Sequence, residues 1–384
     1  MVPLPIALLL ARLLSALSRL LRQGEGATLS GKVLLRLRPH AIRELTRGRR
    51  VILVSGTNGK TSTSAMLVSM LQERFHVGGN RTGANLDTGI AASLVSSKQC
   101  DLFVFEVDEL YLPSMIKETS PEIVLLLNLS RDQLHRTQEV RIVARKWHEA
   151  LAAFPDTQVV VDSSDPFLAS VVRDHVPVTR IAFGKRTHID AASCPTCGAM
   201  LDWRGTQFHC SSCGLGNVAP DHEFGGMTAV ARNHALAEHI ARKFGVQDFS
   251  KTPPRDRIST LFLGGIEIDL RLVKNPSSWQ EGLSSLSDEP VILAVNARGV
   301  DGLDTSWLWD VDFTPLKGRY VVVTGERRLD AAYRIHVDGV GYSITESLTE
   351  AAAQIQRDGF KRSQALTSYT AFIDATTRVK GARR

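Results

Sequence analysis

A short stretch of this chain fixes what can be built around it. Residues 51–54 form an apolar run, small residues follow, then Gly59-Lys60-Thr61, then the helix-compatible stretch 62–71. Strand, tight loop, helix is the context of a phosphate-binding loop. Backbone N–H groups and a helix N-terminus face the anion, a lysine adds charge, and a hydroxyl can hold Mg²⁺. The pattern is short: Val54 stands where the usual first glycine would be, leaving G-T-N-G-K-T over 56–61. Thr57, Asn58, Gly59, Lys60, Thr61 and Ser62 are therefore candidate contacts to a nucleoside triphosphate, and an α/β layer architecture is the expected frame.

The residues downstream fit that frame. Segments 101–105 (DLFVF), 122–128 (EIVLLLN) and 158–162 (QVVVD) are continuous apolar runs, with a helical stretch at 142–153. Such runs read as strands of a parallel sheet covered on both faces, whose ligands gather at the carboxyl ends of the strands. Glu106 and Asp108 lie at one such end, where a carboxylate can bind Mg²⁺ or simply sit solvated in a turn. The loop 80–85 (NRTGAN) and the polar cluster Asn128 to Arg136 lie at others; His135 alone reads as structural.

With 384 residues, 43% apolar and 22% charged, the chain is an ordinary globular one with room for two or three domains. A net charge of +6 over that length permits an anionic surface or substrate without demanding nucleic acid. Four of the five cysteines fall between 194 and 213, as Cys194-Pro-Thr-Cys197 and Cys210-Ser-Ser-Cys213. Two C-x-x-C pairs at this spacing predict a tetrahedral Zn²⁺ site in a reducing compartment, each followed by a glycine (Gly198, Gly214) that lets amides approach the thiolates. Four thiolates leave no open position, so the metal is structural. The ribbon has almost no core of its own, and metal binding would supply folding energy of order 10 kcal/mol. It carries few basic or aromatic residues (Trp203, Arg204, Phe208, His209), which favours a structural insertion.

The first 22 residues lack the flanks of a targeting signal, and Arg12, Arg19 and Arg22 interrupt what would otherwise be a spanning helix. An amphipathic helix remains, with arginines on one face and leucines elsewhere; packing on the body is preferred to a membrane-surface role, and the expected location is the cytoplasm. A helix is predicted over 32–47. Past the ribbon a helix is predicted over 227–244, then a proline-bearing linker at 251–257. A second α/β unit follows, with strands at 266–273, 291–296 and 320–324 and helices at 277–286 and 347–356. After its strand 291–296, one loop holds Asp301, Asp304, Asp310 and Asp312 with Trp307 and Trp309.

G-T-N-G-K-T, the Glu106 strand end, N-H-A-L-A at 233–237 and Arg257 resemble the Mur ligase family. N-R-T-G-A-N, F-E-V-D-E (105–109), R-D-Q-L (131–134), the ribbon, V-K-N-P (273–276), D-G-L-D-T-S-W-L-W-D (301–310) and S-Y-T (368–370) are similar to its lipid II-amidating branch. The resemblance runs from about residue 24 to about 375. It implies a Mur-ligase-type P-loop central domain (49–250) carrying an inserted four-cysteine zinc ribbon (about 190–217). A helical segment (1–48) would precede it, and a smaller Rossmann-like C-terminal α/β domain (257–384) would follow. It further implies ATP- and Mg²⁺-dependent amidation of the D-glutamate α-carboxylate of the lipid II stem peptide, through an acyl phosphate, in peptidoglycan biosynthesis.

In that scheme Lys60 and Glu106 are catalytic, Thr61 and Glu106 hold Mg²⁺, and Asn233 and Arg257 contact the nucleotide. Ammonia would come from a glutaminase partner (GatD-like) in a heterodimer, whose Cys-His pair Asp304, or as second choice Asp310, completes. The lipid substrate would be met at the inner face of the membrane. The chain departs from the family pattern at His135 and Thr137-Gln138, in its short run from Cys213 to Asn233, and at Asn296-Ala-Arg. Two other readings compete: a Mur-type ligase joining an amino acid, and a zinc-ribbon P-loop module binding nucleic acid, which lacks a basic–aromatic surface signature.

Overall fold

The computed structural model describes residues 2–20, 26–80, 84–97, 99–131, 139–184, 188, 190–204, 207–216, 218–250 and 258–382. The chain divides into two compact units, 1–130 with 135–255, and 131–134 with 256–384. The predicted linker 251–257, Arg257 included, lies outside the described residues.

The first unit opens with helices α1 (Leu4–Leu20), α2 (Gly26–Leu37) and α3 (Ala41–Thr46). The single helix expected over 32–47 is two: Pro39 restricts the residue before it, and the chain turns between Leu37 and Ala41. A seven-stranded sheet follows. Its strands are β1 (Arg50–Ser55), β2 (Val77–Gly78), β3 (Leu102–Glu106), β4 (Ile123–Leu126), β5 (Gln158–Asp162), β6 (Val178–Ala182) and β9 (His222–Glu223), in the order β2-β3-β1-β4-β5-β6-β9. All its pairings are parallel. The short run after Cys213 thus still contributes β9 to the sheet edge.

Residues of β1 alternate between two cores. Val51 and Leu53 face Phe103, Phe105 and Trp147, with helices α1 to α3, α5 (Asp87–Ser96), α6 (Leu112–Thr119), α7 (Val140–Ala152) and α8 (Pro166–Val171) on that side. Ile52 and Val54 face α4 (Lys60–Leu71) and α9 (Ala229–Lys243). Burial on both faces is why the strand reads as an unbroken apolar run.

The cysteine pairs flank an antiparallel hairpin, β7 (Asp202–Arg204) with β8 (Gln207–His209). The sequence suggested a ribbon almost without core. In the structure Leu201, Phe208 and Leu215, with Cys194 and Cys210, join the same buried cluster as Phe103 and Trp147. The ribbon is seated on the core of the first unit.

The second unit is a six-stranded sheet in the order β10-β11-β15-β12-β13-β14. Its strands are β10 (Ile258–Leu263), β11 (Ile266–Leu272), β12 (Val291–Ala294), β13 (Val321–Thr324), β14 (Ser343–Ile344) and β15 (Arg362–Thr367). Helices α10 (Pro276–Ser284), α11 (Arg328–Val337), α12 (Leu348–Arg357) and α13 (Tyr369–Ala382) complete it. The central strand β15 was not anticipated: RSQALT carries too few apolar residues to announce a buried strand, yet it pairs on both sides, with β11 and β12.

Candidate functional site

The loop between β1 and α4 is held from several directions. Gly59 has φ +85°, and a Cβ there would fall 2.1 Å from Nδ2 of Asn233, so the α9 side chain lies directly on the loop. Asn128, at the end of β4, accepts from the Asn58 amide at 2.9 Å and donates to the Asn58 carbonyl at 2.9 Å. The Thr57 amide donates to the Asn128 carbonyl at 3.0 Å, and Thr57 Oγ1 exchanges hydrogen bonds with the Ser130 backbone. A loop fixed this way needs little reorganisation to receive a ligand.

Lys60 is buried. Its Nζ donates to the carbonyl of Gly56 and to Glu109 Oε2 at 2.9 Å. Thr61 Oγ1 donates to Glu106 Oε1 at 3.0 Å, because β3 lies beside β1 in the sheet, with Val54 opposite Glu106. Asn80 clamps the Glu106 backbone from both sides, at 2.9 Å to its N–H and 2.7 Å to its carbonyl. Lys60, Thr61 and Glu106 therefore converge as the sequence predicted, with Asn233 beside them and Ser62 in the first turn of α4. Arg257, residues 81–83 and the segment 132–138 with His135 lie outside the described residues. Asp108 accepts from the Leu110 amide at 3.1 Å, the geometry of a turn carboxylate.

Sequence reasoning passed over Glu109 as a site residue. Its carbonyl accepts from Trp147 Nε1 at 2.8 Å, and its buried Oε1 has no hydrogen-bond partner among the described residues. It also passed over Asp165, fully buried, which caps α8, accepts from the Leu129 amide at 2.9 Å and lies 3.3 Å from His188 Nε2. The D-P that opens α8 was the available signal, since Asp before Pro commonly starts a helix.

The four sulfurs Cys194, Cys197, Cys210 and Cys213 lie within 4.8 Å of one another and can hold one metal ion. Sγ separations of 3.6 Å (Cys194–Cys213) and 3.4 Å (Cys197–Cys210) approach the edge of a tetrahedron with metal–sulfur bonds of about 2.3 Å. The amides of Gly198 and Gly214 turn back onto the carbonyls of Cys194 and Cys210, at 2.9 and 2.8 Å. Burial raises the Cys210 thiol, but the Cys213 and Ser212 amides and the Cys197 thiol outweigh it, leaving it at about 7. The Leu215 amide lowers Cys213, but burial and the neighbouring sulfurs push it up to about 12.

In the second unit the four aspartates separate by what they touch. Asp301 takes the Thr370 amide at 3.0 Å and the Thr370 hydroxyl, tying its loop to the start of α13. Asp312 is held below the usual carboxylate range by the Thr314 hydroxyl and amide. Asp310 pairs with Arg131 at 3.1 Å. Asp304 is exposed and takes the Ser306 amide at 2.8 Å and hydroxyl at 2.9 Å. The two tryptophans divide: Trp307 packs on buried Trp279, and Trp309 stands exposed against Tyr333.

A parallel sheet with a short Gly-Lys-Thr loop and a facing strand-end glutamate is the frame of a nucleotide-binding α/β unit. The profile of the Mur ligase middle domain matches residues 54–219. The chain is similar in fold to the MurF ligase of Thermotoga maritima in complex with ADP, at 15% identity and a TM-score of 0.61 over 90% of this chain and 81% of that one. The chain thus carries a Mur ligase middle domain, and its likenesses support an ATP-dependent ligase. Its C-terminal part is similar to that of MurT. The MurT ligase C-terminal profile matches residues 272–372. Subunit MurT of lipid II isoglutaminyl synthase (glutamine-hydrolyzing) from Streptococcus pneumoniae is 27% identical, over 92% of each chain. The subunit of the same name from Staphylococcus aureus strain N315 is 24% identical over 96% of this chain and 94% of that one.

Proposed function

We propose that this chain is the ligase subunit that amidates lipid II, converting the D-glutamate α-carboxylate of the stem peptide to D-isoglutamine in peptidoglycan synthesis. The observation that carries the reading is the union, in one chain, of a phosphate-loop ligase unit with a MurT-type C-terminal unit. Its working parts would be a helical segment (1–48), an ATP-binding part (49–250) with its ribbon, and the C-terminal part (257–384).

The loop suits ATP. Amides of residues 59–62 and the Lys60 ammonium would take the β- and γ-phosphates, while Thr57 and Asn58, whose amides are taken by Asn128, would shape the loop around them. Thr61 with Glu106 would hold Mg²⁺, which supplies charge neutralisation to the transferring phosphoryl group. Asn233 and Arg257 serve as nucleotide contacts. The substrate carboxylate attacks the γ-phosphorus, ADP leaves, and an acyl phosphate forms. Ammonia then attacks the carbonyl carbon, the C–O bond to phosphate breaks, and the amide remains with a proton released. Lys60 offsets the charge that builds during the first step.

Ammonia is mostly protonated at neutral pH, so a glutaminase subunit is the natural supply. Asp304, exposed on its loop, suits the role of third carboxylate for that partner's Cys-His pair. The cysteine cluster takes Zn²⁺, with four thiolates and no open position. Catalysis takes place at the cytoplasmic face of the membrane, where a lipid-linked substrate is met.

The test is an amidation assay on lipid II with either glutamine plus the glutaminase or ammonium chloride as nitrogen source. Lys60→Ala should abolish ATP turnover with both. Asp304→Asn should lose the glutamine-driven reaction and keep the ammonium-driven one. Retained turnover in Lys60→Ala, or product carrying an added amino acid in place of the amide, overturns the reading.

A further inference from the structure

The N-terminal helix buries the face that its sequence made least conspicuous. Ala7 and Ala11 are fully buried, with Leu4 and Leu8 packed against the same core, and Arg12 Nε donates to the Val95 carbonyl of α5 at 3.0 Å. Its neighbour α2 is locked to α5 as well: a Cβ on Gly31 would lie 1.8 Å from the Thr88 carbonyl oxygen. The pair of helices is thus fixed to the first unit. The other face of α1 is left outside. Ile6 (49% exposed), Leu9 (56%), Leu10 (40%) and Leu13 (58%) recur at the i, i+3, i+4, i+7 spacing of one helical stripe. Pro3, Pro5 and Ala16 are the only other exposed residues between 2 and 16, so this surface carries no exposed polar side chain.

We infer that this stripe docks on an anionic phospholipid bilayer, with α1 lying in the plane of the headgroups. Charge selects that occupant. The first 50 residues hold ten Lys and Arg against two Asp and Glu, while the remaining residues hold 36 against 38, so the chain's entire positive surplus is gathered here. Arg38, Arg43 and Arg50 of that segment are paired with Glu44, Glu118 and Glu122, whereas on α2 exposed Leu29, Lys32 and Arg36 repeat the combination of apolar and basic groups at helical spacing. A second copy would bring the same surplus of positive charge to the contact and be repelled, whereas a negatively charged lipid surface is complementary to it. No described helix is long and apolar enough to cross a membrane. An apolar stripe with basic flanks on such a helix is the pattern of interfacial binding. The purpose of the contact rests on the lipid-linked substrate proposed above; the contact itself rests on the stripe and the charge.

Flotation of the full chain with vesicles tests it. Wild type should float with phosphatidylcholine vesicles containing about one-third phosphatidylglycerol, and bind phosphatidylcholine alone at least ~10-fold more weakly, with added salt erasing the difference. Leu9→Gln/Leu13→Gln should lose ~10-fold or more in affinity for the anionic vesicles. The same variant should keep the wild-type melting temperature and ATP turnover on a soluble, short-chain substrate analogue. Lys32→Gln/Arg36→Gln should lose only the preference for anionic lipid. The inference is overturned if wild type fails to bind anionic vesicles, if the leucine variant binds them equally, or if the stripe instead mediates a dimer in lipid-free buffer that the leucine variant abolishes. Turnover on the soluble analogue reports separately on the proposed reaction, so each idea can fail alone.

Discussion

Lys60 is held by a group that the phosphates of ATP would have to replace. The side chains of Lys60 and Glu109 are only 8% and 6% exposed, and breaking such a pair from one side costs about 3–5 kcal/mol. Glu109→Gln should therefore lower the melting temperature of the nucleotide-free protein and tighten ATP binding, since phosphate no longer competes with a carboxylate. Scanning fluorimetry and calorimetric titration check both halves; weaker ATP binding would place Glu109 among the groups that serve the nucleotide. Lys60 and Thr61 could be singled out because the loop motif is contiguous in the chain, and Glu106 because it ends an apolar strand. Glu109 could not, because a carboxylate three residues beyond Glu106 reads as a solvated turn until the sheet sets β3 beside β1. Asp304 could be singled out only by resemblance. Its neighbours Asp301 and Asp312 look alike in sequence and differ only in what folds against them.

Elements were legible in proportion to how apolar they are. β1, β3, β4 and β5 announced themselves within one or two residues because both of their faces are buried. β15 did not, although it is central, because Ser363 and Thr367 fill buried positions with polar side chains and Thr367 bonds the Arg271 carbonyl at 3.0 Å. Helix α1 was recognised as amphipathic, but the residues it buries completely are Ala7 and Ala11, whose small side chains let its axis lie close to its neighbours, while Leu9, Leu10 and Leu13 stay outside. The same closeness governs α2. Gly31→Ala sets a methyl against the Thr88 backbone, which no rotamer can relieve, so the two helices must part. A destabilisation of about 1–3 kcal/mol is expected, read as a lower midpoint in urea unfolding.

The molecule as a whole has two units with separate sheets, and its ribbon belongs energetically to the first. Because Leu201, Phe208 and Leu215 continue the core that holds Phe103 and Trp147, a metal held by the four cysteines would brace more than a surface finger. Chelation, or Cys194→Ser, should lower the calorimetric transition of the first unit by several degrees, at about 2–4 °C per kcal/mol for a unit of this size, and leave that of the second in place. A zinc-free wild type with an unchanged transition would contradict this. Thiolates bind the metal and thiols do not, so zinc affinity should fall as pH falls, a sign that titration with a competing chelator can check. The break in pattern past residue 250 lies close to where the two units divide. The seating of the ribbon was not legible, because its three apolar side chains are too few to predict which surface they meet.

The side chain that Asn233 presses against Gly59 ties together two positions far apart in the chain. Any residue with a Cβ at 59 collides with that amide, and any larger residue at 233 collides with the loop. In inheritance the two sites cannot drift independently: a change at either is filtered by the other before it is filtered by ATP. Among descendants of this chain they should be retained together or lost together, and the glycine would be kept as much for the helix behind it as for the phosphate in front.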